Sequence, residues 1–495
     1  MHSRGGSATA SAAIRPWQAR RLDEPEQPLG RRRAVRPWQS GTMTDVNFGE
    51  LSADEAAKEV YAHILARAPE HDFEPTLDRV REACALLGDP ETNFRVIHVT
   101  GTNGKTSTSR MIERLVRAHG LRTGRFTSPH LTSVRERIAI DGESISAEHF
   151  VEVWQEVAPI IHIVDTRSHQ LGGPSMSFFE VLTVMAYAAF ADAPIEVAIV
   201  EVGMGGSWDA TNVANGEVAV VTPIARDHER WLGYELSGIA SEKAGIIKPG
   251  AIAVIAAQRE EVEEVLLAAA EANRAQVRRE GIDLEVVSRQ VAVGGQLMSL
   301  RTTMGFYPDL YLPLHGQYQA HNALLALAAA EGLLSDGEPL DPEIVAAAFA
   351  AVDSPGRLEL LRTSPTILVD AAHTPAGVEA LVGAIEEAFD FTRLIGVVGI
   401  LEDKDAESVL SALEPLLAEI VITRSSSIRA LDVSDLAEIA EEVFGEDRVH
   451  AVERLDDAID LAVQRAESEQ AYGSGVLITG SITMAAEARI LLGRG

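Results

Sequence analysis

Residues 100–108, read as TGTNGKTST, stand between an apolar run that ends at Val99 and a helix-like pattern over residues 107–118. A strand that passes through a glycine-rich turn into a helix commits the chain to α/β architecture, and it aims the helix's unpaired N–H groups beyond the strand end. Gly101 and Gly104 let the backbone approach a phosphate, Lys105 neutralises phosphoryl oxygens, and Thr106 holds the hydroxyl position that commonly meets Mg2+. The segment therefore predicts a nucleotide-phosphate site built from Thr102, Asn103, Gly104, Lys105 and Thr106. Two residues rather than four separate Gly101 from Gly104, so the spacing departs from the usual P-loop. A glycine-rich turn with an exposed lysine is the plain alternative, and a nucleotide-binding switch or transport ATPase would also satisfy the loop.

Apolar runs at residues 96–99, 197–200, 218–221 and 251–255 recur before glycine-rich or polar turns, with helical patterns between them, including 107–118 and 178–190. Continuous apolar strands alternating with amphipathic helices indicate a mostly parallel sheet covered on both faces. Residues 284–314 carry strand-like pieces without helices, which predicts a small antiparallel addition before helix returns over 319–334. A Pro/Gly break at 352–356 precedes a second βα series, with strands expected at 366–369, 394–398, 420–423 and 476–479. At 495 residues the chain exceeds what one core usually organises. The expected division is a P-loop domain over 44–350 and a smaller Rossmann-like α/β domain over 351–495.

Residues 1–43, rich in Arg, Pro, Ser and Gly and without apolar periodicity, read as a disordered leader. A targeting peptide is one account of it, and translation from Met43 is the preferred one. The most apolar stretch, 181–200, is interrupted by Asp192, Pro194 and Glu196, so it reads as helix, turn and strand instead of a membrane span. A formal net charge of −31 disfavours nucleic acid and anionic bilayers as partners. An anionic substrate then needs local cations, metal ions or helix N-termini. Cys84, the chain's one cysteine, shares an apolar stripe with Leu77, Val80 and Leu87, which favours a buried thiol over a nucleophile. With no disulfide possible within the chain, a reducing compartment is permitted. The expectation is a cytoplasmic protein, and a monomer.

In open α/β sheets ligands bind beyond the carboxyl ends of the strands. Here those ends are chemically loaded. The first series presents the phosphate loop, the segment 201–206 that begins with Glu201, and Asp227-His228; the second presents 370–373, 403–405, Thr423-Arg424 and 479–481. Two such edges facing each other enclose a cleft suited to a reaction with two or three substrates.

Eleven short segments follow one another in a fixed order: TLDRV (76–80), TGTNGKTS (100–107), TSPHLTSVRERI (127–138), SFFEVLT (177–183), EVGMGGSWDATN (201–212), RDHERWLG (226–233), SEKAGIIKPG (241–250), LHGQYQAHNA (314–323), SPGR (354–357), DAAHTPAG (370–377) and DKD (403–405). In this ordered set the chain resembles the folylpolyglutamate synthase family, with the bacterial Mur amide ligases as more distant relatives. The SPHL loop and DATN favour the folate branch. Ser207-Trp208 stand where that family commonly has Arg-Leu, and Thr374 stands where it commonly has Asn.

The resemblance implies a Mur-ligase-like fold and an ATP-dependent ligase that joins L-glutamate to the carboxylate of tetrahydrofolate, and also to dihydropteroate, through an acyl phosphate. A carboxylate is a poor electrophile until phosphoryl transfer supplies a leaving group, and bringing it to a triphosphate requires cations in the gap. The family correspondence places Thr106, Ser128, Glu201 and His228 around one or two Mg2+ ions, whose hard oxygen preference suits the task. For Glu201 alone the plain reading is a solvated strand-end carboxylate, and for His228 an ordinary polar histidine. Lys105 acts on the phosphates, and Lys243 resembles the family lysine that becomes carbamylated; an unmodified helix lysine in a salt bridge is its alternative. Asn322, Arg357 and Asp370 correspond to nucleotide-contacting positions, with an interdomain salt bridge as the alternative for Arg357. His373 is the candidate for assisting transfer near the acyl phosphate. Residues 127–138 read as a mobile loop near metal and folate. Thr76, Leu77, Asp78 and Arg79 resemble the segment near the pterin, though alone they could simply start a helix, and Ser481 is expected to help hold the incoming glutamate. A Mur-type ligase would need a muramoyl-nucleotide domain before the phosphate loop, where only about fifty folded residues are expected. A non-catalytic nucleotide-binding module would bind ATP without glutamate-dependent phosphate release.

Overall fold

The structure, a computed structural model, describes residues 51–69, 74–467 and 473–494; the expected leader over 1–43 and the start at Met43 lie outside them. Eight strands, β1 (Arg95–Thr100), β2 (Thr123–Phe126), β3 (Ile138–Ile140), β4 (Glu143–Ser144), β5 (Val197–Glu201), β6 (Val218–Val221), β7 (Ile252–Ile255) and β8 (Gln276–Arg279), form the first sheet in the order β4-β3-β2-β5-β1-β6-β7-β8. From β2 to β8 the pairing is parallel, while β3 and β4 add an antiparallel edge. Every residue of β5 and β6 is buried, and in β1 only Arg95 is exposed, as expected of strands with helices on both faces.

One face of this sheet is covered by the helices Lys105–Ala118 and Gln317–Leu334, which pack on each other. The other is covered in part by Leu236–Ala244 and Glu260–Ala272. The helix Phe178–Asp192 is buried through Phe190, in keeping with its apolar character on all sides. The antiparallel addition expected over 284–314 is a three-stranded sheet, β9 (Glu285–Ala292), β10 (Gly295–Arg301) and β11 (Phe306–Leu312), with β10 central. Beyond it, β12 (Glu359–Thr363), β13 (Thr366–Val369), β14 (Arg393–Val398), β15 (Glu419–Ile422), β16 (Val449–Ala451) and β17 (Ser474–Thr479) form a third sheet in the order β12-β13-β17-β14-β15-β16. Only its β12–β13 pairing is antiparallel. Two separate apolar clusters fill its two faces.

The interior strands match their apolar runs within a residue or two. The sequence reading did not delineate β2, β3, β4, β8, β12 and β16, which are short and, apart from β2, lie at or near sheet edges where fewer positions face a core. The segment over 127–138 has more local structure than a mobile loop requires: the Glu136 carboxylate accepts from the backbone N–H groups of Leu131, Thr132 and Ser133 and stabilises the turn Val134–Arg137. Cys84 is buried, as its stripe predicts. No helix among the described residues is long and apolar enough to cross a membrane.

Candidate active site between two strand edges

The phosphate loop leaves β1 and is shaped by two glycines that no other residue can replace without strain. Gly101 has φ 140°, and a Cβ there would fall 1.9 Å from Thr222 Oγ1; Gly104 has φ 90°, and a Cβ would fall 2.5 Å from Asn322 Oδ1. Asn322, carried by the helix Gln317–Leu334, therefore lies against the loop. Thr102 braces it instead of facing outward: its Oγ1 donates to the Ala225 carbonyl and accepts from the Ala225 N–H, both at 3.0 Å. The Thr102 and Asn103 N–H groups donate to Pro223 O at 2.9 and 3.4 Å. Lys105 Nζ curls back onto the Gly101 and Thr102 carbonyls at 3.3 and 3.1 Å.

Adjacent β5 ends in Glu201, and Thr106 Oγ1 donates to its Oε1 at 3.0 Å. Burial pushes the Glu201 carboxyl up to about 7, against the opposing pull of Lys105. Its Oε2 is buried with no hydrogen-bond partner among the described residues. A carboxylate oxygen left bare in such a place fits a cation ligand. Ser128 is buried, and its backbone approaches the same carboxylate. His228 follows β6 in a left-handed conformation, with φ 53°. Among the described residues no three His, Cys, Asp or Glu side chains group as a metal site. The Glu201 carboxylate with the Thr106 hydroxyl on it would leave most positions around a cation to water and phosphate oxygens, which is the habit of Mg2+.

Lys243, from the helix Leu236–Ala244, is buried and donates from Nζ to Gly101 O at 2.7 Å. It makes this bond to the loop backbone and not the salt bridge of the alternative reading. Burial and then the nearby Lys105 charge lower its amine to about 7. Gly101, Thr102, Lys105 and Lys243 line a small recess that shares Asp227 and His228 with a much larger cavity.

That cavity, of about 1040 Å³, lies between the first and third sheets. One wall includes Thr76, Phe179, Met204, Trp208 and Trp231; the other includes His373, Thr374, Lys404 and Arg429. Lys404 Nζ reaches across to Asp227 Oδ1 at 3.0 Å. Burial raises the Asp227 carboxyl, but His228 and Lys404 outweigh it and hold the group below its ordinary range. His373 Nδ1 is 2.9 Å from Ala371 O; in the tautomer that donates there, Nε2 is left as an acceptor. Withdrawal from water, then the Lys404 charge, lowers this imidazole to about 4. Asp370 accepts from the N–H groups of Leu358 and Ala372, each at 2.7 Å, and so shapes the turn that carries Arg357. Arg357 makes no ion pair among the described residues, and its charge is felt by both Glu201 and Asp370.

Other expected residues are not brought to the cavity. Of residues 76–79, only Thr76 lines it. Leu77 is buried, Asp78 is exposed, and Arg79 is buried with its guanidinium on Glu180 at 3.0 Å and Glu74 at 3.1 Å. Ser481 is also buried, and its Oγ accepts from Met484 N–H as the cap of the last helix. Conversely, the Asp227–Lys404 pair and the aromatic wall were missed. Their motifs were visible, but nothing in one segment names its partner in another.

Two family models match the chain: the Mur ligase middle domain over residues 99–330, and the Mur ligase glutamate ligase domain over 356–482. The chain is 48% identical over 480 residues to the dihydrofolate synthase/folylpolyglutamate synthase of Mycobacterium tuberculosis, covering 92% of this chain and 98% of that protein. It is 32% identical over 420 residues to the Bacillus subtilis protein of the same name, covering 84% and 94% respectively. Among solved structures, M. tuberculosis folylpolyglutamate synthase complexed with ADP and AMPPCP superposes with a TM-score of 0.85 at 49% identity, over 90% of this chain and all of that one. With such identity sustained along nearly the whole length, the chain belongs to the dihydrofolate synthase/folylpolyglutamate synthase family.

Proposed function

We propose that this chain is an ATP-dependent ligase that attaches L-glutamate to the terminal carboxylate of tetrahydrofolate, and also to dihydropteroate, through an acyl phosphate. The observation that carries the reading is the wall shared by the phosphate-loop recess and the large cavity, at Asp227 and His228. A triphosphate on the loop thereby has its reacting end beside a space large enough for an aromatic substrate. The aromatic side chains Phe179, Trp208 and Trp231 suit a flat pteridine ring.

Thr106, Ser128, Glu201 and His228 are the residues that would hold Mg2+, which when bound neutralises phosphoryl oxygens. Lys105 exchanges the carbonyls of Gly101 and Thr102 for phosphate oxygens. Asn322, Arg357 and Asp370 are assigned to the nucleotide, Asp370 by holding the turn of Arg357. The substrate carboxylate takes the γ-phosphoryl group and ADP leaves. The glutamate amine then attacks the acyl carbon, the C–N bond forms, the bond to phosphate oxygen breaks, and a proton passes to His373 Nε2. An imidazole lowered to about 4 is neutral at pH 7 and free to accept it. Lys243, carbamylated, becomes an oxygen-bearing anion beside the loop. The same proposal takes residues 44–350 and 351–495 as the two domains, and the protein as a cytoplasmic monomer.

An ADP-release assay that offers glutamate with tetrahydrofolate, dihydropteroate or a muramoyl nucleotide tests the reading. Glutamate-dependent release with both pteroate compounds, and products heavier by one glutamate, are expected. Release with the muramoyl nucleotide alone would sink it.

A further inference from the structure

The product of the proposed ligase is itself a candidate substrate, and each added glutamate contributes another α-carboxylate. A chain of net charge −31 repels such a polyanion at long range, so acceptance of a lengthened tail requires a local cationic surface. The first-sheet wall of the cavity has one. Arg226 follows β6, and Arg259 follows β7 at the start of the helix Glu260–Ala272. Both line the cavity and both are exposed. Neither guanidinium has an ion-pair or hydrogen-bond partner among the described residues, although the protein carries 74 Asp and Glu against 43 Lys and Arg. A third guanidinium, Arg230, stands 5.4 Å over the Trp231 ring on the same wall. Other lining charges are engaged: Lys404 with Asp227, and Arg429 with Asp403. Two lining carboxylates, Glu229 and Glu379, also lack partners among the described residues, but Glu379 belongs to the opposite wall.

We propose that Arg226 and Arg259 form a subsite for the α-carboxylates of glutamates already attached to the substrate, so that they set preference by tail length. This rests on the ligase reading. The geometry is consistent with it: the end to be extended lies near His228, two residues from Arg226, while the aromatic wall receives the ring. Dihydropteroate, with no glutamate, has nothing to offer the subsite. A tri-γ-glutamate tail has two α-carboxylates beyond that of a monoglutamate.

The test is steady-state kinetics of wild type and Arg226→Ala/Arg259→Ala on dihydropteroate, tetrahydrofolate monoglutamate and tetrahydrofolate triglutamate, with thermal unfolding as the control for folding. Each exposed charge contact is weak, so KM for the triglutamate should rise roughly five- to tenfold when both are removed, with kcat and the dihydropteroate KM within about twofold. In wild type the triglutamate KM should rise more steeply with salt than the monoglutamate KM. Equal effects on all three substrates, or none on any, overturn the subsite. Arg226→Glu/Arg259→Glu supplies a second reading and should raise the triglutamate KM further than the alanine variant does, and by a larger factor than the monoglutamate KM. Failure of wild type to turn over any pteroate compound instead sinks the ligase reading, so the two failures are distinct.

Discussion

Lys404 Nζ and Asp227 Oδ1, 3.0 Å apart, join the third sheet's edge to the first across the cavity. Their side chains are 11% and 17% exposed, so the pair is largely withdrawn from water. Removing one member leaves a poorly solvated charge behind, whereas removing both does not.

A double-mutant cycle of Lys404→Met and Asp227→Asn, read from urea unfolding of the protein without ligands, should therefore show a coupling of about 1–2 kcal/mol. Purely additive losses would mean that the pair does not help hold the two edges together.

Glu201→Gln preserves a carbonyl oxygen for the Thr106 hydroxyl and removes the negative charge. ADP release is expected to fall roughly a hundredfold, with the Mg2+ concentration at half activity rising. Full activity at unchanged Mg2+ would remove Glu201 from the proposed metal set.

Lys243, lowered to about 7, presents a large fraction of free amine at neutral pH, and only the free amine reacts with carbon dioxide. Labelled bicarbonate should give a carbamate signal in the wild-type carbon-13 spectrum that Lys243→Ala lacks. The variant should lose most activity and regain part of it with a short added carboxylate. Wild-type turnover in the variant without additive would exclude the role.

His373→Ala should lower kcat about a hundredfold while leaving KM for ATP within about threefold, since the imidazole is placed at proton transfer and not at nucleotide binding. Undiminished turnover at saturating substrates would contradict the assignment.

His98 is fully buried, with Nε2 2.9 Å from Thr211 Oγ1, and burial lowers its imidazole to about 3. Because its folded value lies below the unfolded value of about 6.5, the unfolded chain binds the extra proton between those limits, and stability falls as pH falls. The contribution is on the order of 1.4 kcal/mol per pH unit within that window. His98→Gln should flatten the wild-type loss of stability between about pH 6 and pH 5 by one proton's worth; an unchanged slope would show that His98 titrates normally.

Much of the fold was legible because its signals are local. Buried parallel strands show as unbroken apolar runs, as at 197–200 and 218–221, and Gly101 and Gly104 supply the positive φ that the turn after β1 requires. Edge strands such as β4 and β16 face too little core to leave a comparable pattern. The shape of the loop at Thr102–Thr106 was legible because it is concentrated in one segment, whereas the TLDRV segment mixes its expected role with scaffolding. Its arginine is spent on Glu180, 101 residues away.

What the sequence by itself determined is the α/β alternation, the phosphate loop and the ordered motifs, since each depends on backbone sterics or apolar periodicity within a few residues. Only the tertiary structure decided that Lys243 meets the Gly101 carbonyl 142 residues away, that Lys404 meets Asp227 177 residues away, and that Ser481 caps a helix. Those outcomes depend on which strand edges face each other. That arrangement is set by the summed burial of the sheets, and no single segment encodes it.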